Sequence, residues 1–443
     1  VGQAFSPAKS GVRMIPSKRL LWLTAGLFPL AVAGGLSEPF RPVGLVIGLC
    51  CVAAALVDAF LSRGLLSGVR LVDPGSQRQH KDREFTFRLQ FETGGLQRVR
   101  VGIPWPVGIS APVEEQETLV AAGTAVLDWK ATPIRRGDFA IPTAAIAADS
   151  RFGLWEVRRD CSLGARFHVF PNLQSKDELL AVRRETGGEY SRRQIGRGRE
   201  FEHLREYVSG DGLDEIDWKA TARRGKPISR VFQVERTQEI YAAIDASRLT
   251  ARRAGADIRL ERYLQAALSL GAAAQNQGDR FGIVTYTDRV HDFVRAGKGS
   301  THTALCRQAI YRLQPSAVPA DFSDVMAHLR VHLRGRALIV FLTDLDEPST
   351  SDSFLDAVKL LTRKHLVAAI TIRPDGMEPM FTHEAADFDS VCGQIGGHLR
   401  WKAMRQTESK LRVQGVHFRM AEEATLSRQL AGLYGDIKKR QLL

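Results

Sequence analysis

The chain has 443 residues, 44% hydrophobic and 25% charged, which is more than one core accommodates and excludes a disordered or collagen-like polymer. Its five cysteines (Cys50, Cys51, Cys161, Cys306 and Cys392) show no paired zinc-type spacing and an odd total, so a disulfide framework is excluded and a reducing compartment is expected. The net charge of +13 comes from arginines spread along the chain rather than gathered beside aromatic stacking residues, so the expected basic-face partner is an anionic membrane surface, with no nucleic acid.

Residues 1–19 read as a basic N-terminal segment, with Lys9, Arg13, Lys18 and Arg19. Residues 20–36 carry no charge, and residues 43–62 carry only Asp58, near their end. Each run approaches the roughly 20 residues that cross a bilayer. The intervening residues 37–42 include Pro39 and Pro42 and are too few for a domain, so residues 20–62 are expected to form a hairpin of two transmembrane helices. Arg63 and Arg70 follow the second span, and Arg41 stands alone in the turn. The positive-inside bias then places both ends, and the soluble body, on the cytoplasmic side of an inner (plasma) membrane. A rival is a cleaved signal peptide ending near Ala31-Val32-Ala33, which would reverse the topology of the remaining span.

From residue 71 to 171 the pattern changes to period two. Phe85, Phe87, Leu89 and Phe91 alternate with Glu84, Thr86, Arg88 and Gln90, as half-buried strands require. Val99, Val101 and Ile103 continue the alternation, and Phe167 with Val169 closes it, which suggests a small antiparallel sandwich used for structure or protein docking. Residues 172–200 are polar, basic and glycine-containing, and read as a linker.

Residues 238–443 alternate short apolar strands with helical segments. The strands EIYAAIDAS, RFGIVTY, ALIVFLTDL and HLVAAITI are continuous in Ile, Val and Ala, as a parallel sheet buried on both faces demands. Helices are expected near residues 257–277, across 301–334 and from about 353 to 364, with RVHDFVRAG as a hairpin arm. The expected fold is α/β and doubly wound (Rossmann-like), so ligands belong beyond the carboxyl ends of the strands. Those ends carry Asp245-Ala246-Ser247 and Thr343-Asp344, hard oxygen donors of the kind magnesium prefers.

This constellation resembles a von Willebrand factor A domain, in which an Asp-x-Ser-x-Ser motif, a later Thr and a strand-end Asp hold a metal. The resemblance implies metal ligands at Asp245, Ser247, Ser323 (where the family has Thr) and Asp344. Leu249 replaces the second Ser, so the implied Mg2+ site is incomplete. If the metal is absent, Asp245 and Asp344 are expected to cap helices and brace loops.

Residues 201–237 are the most distinctive stretch. Arg205-Glu206-Tyr207, Gly210-Asp211, Ile216-Asp217-Trp218-Lys219 and Ala222-Arg223-Arg224 resemble the signature of a bacterial family of unknown function, DUF58. On the residues alone, Asp211, Asp214, Glu215 and Asp217 can pair with Arg205, Lys219, Arg223 and Arg224 while Trp218 fills an apolar pocket. The alternative is a binding surface. The resemblance implies a membrane-tethered partner of a MoxR-type AAA+ ATPase that acts on an unidentified client protein.

Enzyme motifs are weak. In Ala296-Gly297-Lys298-Gly299-Ser300, glycine follows the lysine where a phosphate-binding loop needs Ser or Thr, and Asp292 stands where the first glycine belongs. No His-Glu-x-x-His helix or Gly-x-Ser-x-Gly elbow occurs. The expected function is therefore protein binding, not catalysis. Two alternatives are a metal-assisted hydrolase using Asp245 and Asp344, and an extracytoplasmic adhesive A domain if the topology is reversed.

Overall fold

A computed structural model describes residues 12–36, 41–93, 97–120, 123–172, 195–208, 212–213, 216–233, 237–255, 257–380, 382 and 387–440. The chain divides into two compact units, Val1–Asn172 and Leu173–Leu443.

The first unit encloses one apolar core between two sheets. One sheet runs in the order Arg13–Pro16, Trp155–Phe170, Gly137–Asp149, Gln97–Gly102, Glu115–Val120, with Ser76–His80 pairing parallel to Trp155–Phe170. The other runs Arg70–Leu71, Phe85–Thr93, Gly123–Pro133, Ile109–Ser110. The alternation in Phe85–Thr93 has a direct cause: Phe87, Leu89 and Phe91 are wholly buried against Trp129 and Phe167, while Thr86, Arg88 and Gln90 face solvent. Within the expected N-terminal segment, Arg13–Pro16 pairs with Trp155–Arg158 as an edge strand. Its few residues carry no period of their own; the partner strand organises them.

Two helices follow that edge strand, Lys18–Leu36 and Arg41–Ser62. The second is long and apolar enough to cross a membrane. The start of the first helix and the end of the second meet one turn of the β-rich core. The Ser17 hydroxyl, just before the first helix, donates to the Gly153 carbonyl at 2.6 Å. Near the end of the second helix, the Asp58 carboxylate accepts from the Phe152 and Leu154 amides at 3.1 and 3.2 Å. Trp155 Nε1 donates to the Ala55 carbonyl at 2.8 Å. The turn's orphan amides are thus satisfied by a buried carboxylate, which lowers the cost of removing both from water.

The second unit opens with a hairpin in which Ile195–Glu206 pairs antiparallel with Ile228–Gln233, the short helix Trp218–Arg224 lying between them in sequence. Ile195 to Glu200, expected as the end of the linker, therefore lie in a strand. Ile195 and Glu200 both pair with Gln233, and Gly196 to Arg199 fall in the register break between them, so no apolar alternation marks the strand.

A six-stranded sheet follows, built from β1 (Glu239–Asp245), β2 (Arg280–Tyr286), β3 (Val290–Gly297), β4 (Ala337–Leu342), β5 (Leu366–Ile372) and β6 (Val416–Ala421). Its order is β3-β2-β1-β4-β5-β6, all parallel except the antiparallel β3. The helices are α1 (Arg259–Asn276), α2 (Ser300–Ile310), α3 (Phe322–His332), α4 (Pro348–Thr362), α5 (Phe388–Val413) and α6 (Leu426–Lys439). Ile240, Ala242 and Ile244 of β1 point into one core with α1, α2 and α6, while Tyr241 and Ala243 point into another with α3, α4 and α5. Two buried faces explain why these strands read as unbroken apolar runs. The sixth strand, β6, was not anticipated from the sequence, and of its residues only Val416 and Ala421 are fully buried.

Candidate functional site

Strand order reverses between β1 and β4, and at such a reversal the two following loops diverge and leave room at the strand ends. The register sets Ile244 beside Leu342 and Asp245 beside Tyr286, so the residues that leave β1 and β4 emerge side by side. Asp245, Thr343 and Asp344 are all fully buried.

Asp245 Oδ2 accepts a hydrogen bond from the Thr343 hydroxyl at 2.6 Å, and its Oδ1 accepts from the Ser247 amide at 2.7 Å. Burial raises its pKa above the ordinary carboxylate range, against the opposing effect of these bonds. Ser247 starts a short 3-10 turn, Arg248–Ala251, that Thr250 closes by donating to the Ser247 carbonyl at 2.8 Å.

Asp344 faces a different set of partners. Its Oδ1 accepts from the Tyr263 hydroxyl and from the Thr371 hydroxyl, each at 3.1 Å. Its Oδ2 lies 2.5 Å from Nη1 of Arg259, the first residue of α1. Burial pushes the Asp344 carboxyl up to about 6, with Arg259 opposing it. Burial disfavours the charge on Arg259, yet Asp344 outweighs that and keeps the guanidinium above its usual range. Burial and the neighbouring Asp344 hold the Tyr263 hydroxyl well above its usual range, so it stays a donor.

The surrounding loops are tied across the rim. Arg252 pairs with Asp346 at 2.8 Å and with Glu347 at 2.6 Å, and Arg248 pairs with Glu347 at 2.6 Å. Exposed pairs of this kind contribute little singly, about 0 to 1 kcal/mol each, but together they close the loop after β1 onto the loop after β4.

Of the four expected metal ligands, Asp245, Ser247 and Asp344 gather at this rim, linked through Thr343. Ser323 reaches the same end of the sheet because the Asp321 amide bonds to the Thr287 carbonyl at 3.0 Å. It is exposed, however, in the first turn of α3, its amide donating to the Asp321 cap at 2.9 Å. Among the described residues no hydrogen bond joins its side chain to the other three. The Asp321 cap sets that first turn, which fixes where Ser323 lies.

These residues do not fit magnesium. Magnesium needs about six oxygens in near-octahedral array at about 2.0–2.1 Å. All four carboxylate oxygens already face donors or a guanidinium, Leu249 fills the second serine position in the core at 4% exposure, and Ser323 stands apart. Arg259, Tyr263 and Thr371 were missing from the expected site, and Thr343, noted at the strand end, was not counted among the metal ligands. One signal was available: an arginine opening a helix is unfavourable to the helix dipole unless an acid compensates for it.

Residues 203–380 match the family model described as a protein of unknown function, DUF58. Over this stretch the chain is similar to the DUF58 family. An uncharacterized protein of Mycobacterium tuberculosis is 25% identical over 179 residues, which are 40% of this chain and 56% of that protein, so the match spans about half of the relative's length. A counterpart in Mycobacterium bovis gives the same values. Among solved structures, the conserved hypothetical protein BatB from Bacteroides thetaiotaomicron is 11% identical, covers 46% of this chain and 99% of its own, and has a TM-score of 0.31. Proximal thread matrix protein 1 from the mussel byssus, with a zinc-occupied MIDAS motif, is 13% identical over 45% of this chain and 46% of its own, with a TM-score of 0.27.

In the DUF58 segment, Arg205 pairs with Ser229 in the hairpin, and the Tyr207 amide donates to the Pro227 carbonyl at 2.9 Å. Asp217 caps the helix Trp218–Arg224 by accepting from the Ala220 amide at 3.0 Å. Arg223 and Arg224 occupy the last turn, where the helix dipole favours cations. Gly210, Asp211, Asp214 and Glu215 lie outside the described residues, and so does the part of the expected ion-pair network that rests on them. Trp218 requires correction: it fills no pocket and is 67% exposed. It is the first helical residue after the cap and projects from a helix none of whose residues is buried.

Proposed function

We propose that this chain is a membrane-anchored adaptor that binds proteins through the strand-end rim and the DUF58 segment, partnering a MoxR-type AAA+ ATPase acting on a client. One observation carries the reading. Three of the four carboxylate oxygens at the rim accept hydrogen bonds, from Thr343, Ser247, Tyr263 and Thr371, and the fourth, Asp344 Oδ2, lies against the Arg259 guanidinium, an arrangement that braces a surface. The exposed Trp218 adds an aromatic anchor of the kind that interfaces concentrate. The second unit is read as a von Willebrand factor A-like domain on its strand order and antiparallel edge, and the first as a sandwich whose hairpin of spans keeps both units in the cytoplasm.

The ATPase partner follows from family kinship. Co-purification from gently solubilised membranes, with a nucleotide analogue that traps AAA+ complexes, tests it: recovery of the ATPase with the chain is expected. Its absence removes the partner. A reporter fused after Leu443 tests the topology, and activity confined to the outside of the cytoplasm favours the extracytoplasmic adhesive alternative.

A further inference from the structure

We infer that Arg259 is the resident cation of the rim cluster, so that the proposed docking point is held by a guanidinium and works without a divalent metal. The inference rests on the docking reading only for what the rim is used for; its geometry stands alone.

Arg259 is 4% exposed and lies 2.5 Å from Asp344 Oδ2, with Asp346 Oδ2 at 4.0 Å. The charge bookkeeping is direct: Asp344 is a fully buried carboxylate, and the guanidinium beside it supplies the compensation that an ion would otherwise provide. Its position in the fold is specific. Arg259 is the first residue of α1, whose N-terminal dipole disfavours a cation, and Tyr263, one turn later on the same face, donates to the same carboxylate. The helix thus presents an Arg and a Tyr together to Asp344. A metal placed at Asp344 Oδ2 would compete with the guanidinium for the same oxygen at close range.

The other departures point the same way. Leu249 brings an apolar side chain into the core where a hydroxyl ligand would stand, and Ser323 is exposed on α3. Thr343, which could offer a hydroxyl, spends it on Asp245.

The test is thermal unfolding of the full chain in detergent, with chelator and then with millimolar Mg2+ or Mn2+, for the native protein and for Arg259→Ala. The native midpoint is expected to stay unchanged by chelation and by either metal. Arg259→Ala is expected to unfold about 10 °C lower, because it leaves buried carboxylates uncompensated, and to regain part of that loss with Mn2+. A native midpoint that falls on chelation and recovers with Mg2+ overturns the inference, as does an Arg259→Ala chain that is as stable as the native one or is unresponsive to Mn2+. If Arg259→Ala does not fold, Arg259→Lys decides: retained cation and metal-insensitive unfolding support the inference, and stabilisation by metal overturns it. Because metal response rather than partner capture is read, failure here leaves the adaptor reading standing, and loss of the ATPase partner leaves this result standing.

Discussion

The Ser150 hydroxyl donates a 2.5 Å hydrogen bond to Asp58, joining a turn of the β-rich core to the last acidic side chain of the apolar helix Arg41–Ser62. Asp58 is fully buried and also takes the Phe152 and Leu154 amides, so the helix end and the turn form one hydrogen-bonded block. Asp58→Ala removes the acceptor of two hydroxyls, Ser150 and Ser62, and of two amides, and the expected loss is about 3 kcal/mol or more. Trp155, whose indole bonds to the Ala55 carbonyl, provides the readout: its fluorescence should change at a lower denaturant concentration in the variant. An unchanged transition would remove the anchoring role of Asp58.

Asp217 and Trp218 separate stability from recognition. Asp217→Ala removes a helix cap and should cost about 1 kcal/mol. Trp218→Ala removes an exposed ring and should leave the unfolding midpoint unchanged while reducing capture of the partner. Equal destabilisation by both would show that the ring packs rather than recognises.

His365 introduces a pH dependence. Burial, with a lesser effect from Lys364, lowers its pKa to about 4, and neither ring nitrogen has a hydrogen-bond partner among the described residues. The unfolded chain takes up a proton near 6.5 while the folded chain does not, so this stability is complete above that pH. It is lost as pH falls towards 4, by up to about 3 kcal/mol. Asp344, raised to about 6, has the opposite slope: its contribution is present at low pH and lost as pH climbs through 6. The native protein minus His365→Leu isolates the histidine, and its difference in unfolding free energy should grow steadily more unfavourable to the native protein from pH 6.5 down to 4.

Three glycines on α5 should respond in opposite directions. A Cβ on Gly397 would lie 1.8 Å from the Gly376 carbonyl oxygen, whereas one on Gly393 or Gly396 would meet nothing within 4 Å. Gly397→Ala must push apart two backbones, at about 1–3 kcal/mol or more. Gly393→Ala and Gly396→Ala should instead raise stability by about 0.5–1 kcal/mol through the helix preference of alanine. Thermal unfolding of the three single variants distinguishes the sites.

Much of the architecture is legible along the chain because it depends on neighbours in sequence. Phe87, Leu89 and Phe91 bury alternately as the pleat dictates, and the apolar runs of β1, β4 and β5 reflect burial on two faces. Asp245 and Asp344 could be singled out because each directly ends or follows such a run. What they touch was not legible. Arg259 precedes Asp344 by many residues, and only the packing of α1 beside the β4 and β5 ends brings guanidinium, phenol and carboxylate together. The same holds for Ser323, which the Asp321 cap fixes in an exposed first turn, and for Trp218, left in solvent by a helix too short to bury it. Periodicity is a local property that each segment carries alone, whereas the identity of a charge's partner is set by three-dimensional packing.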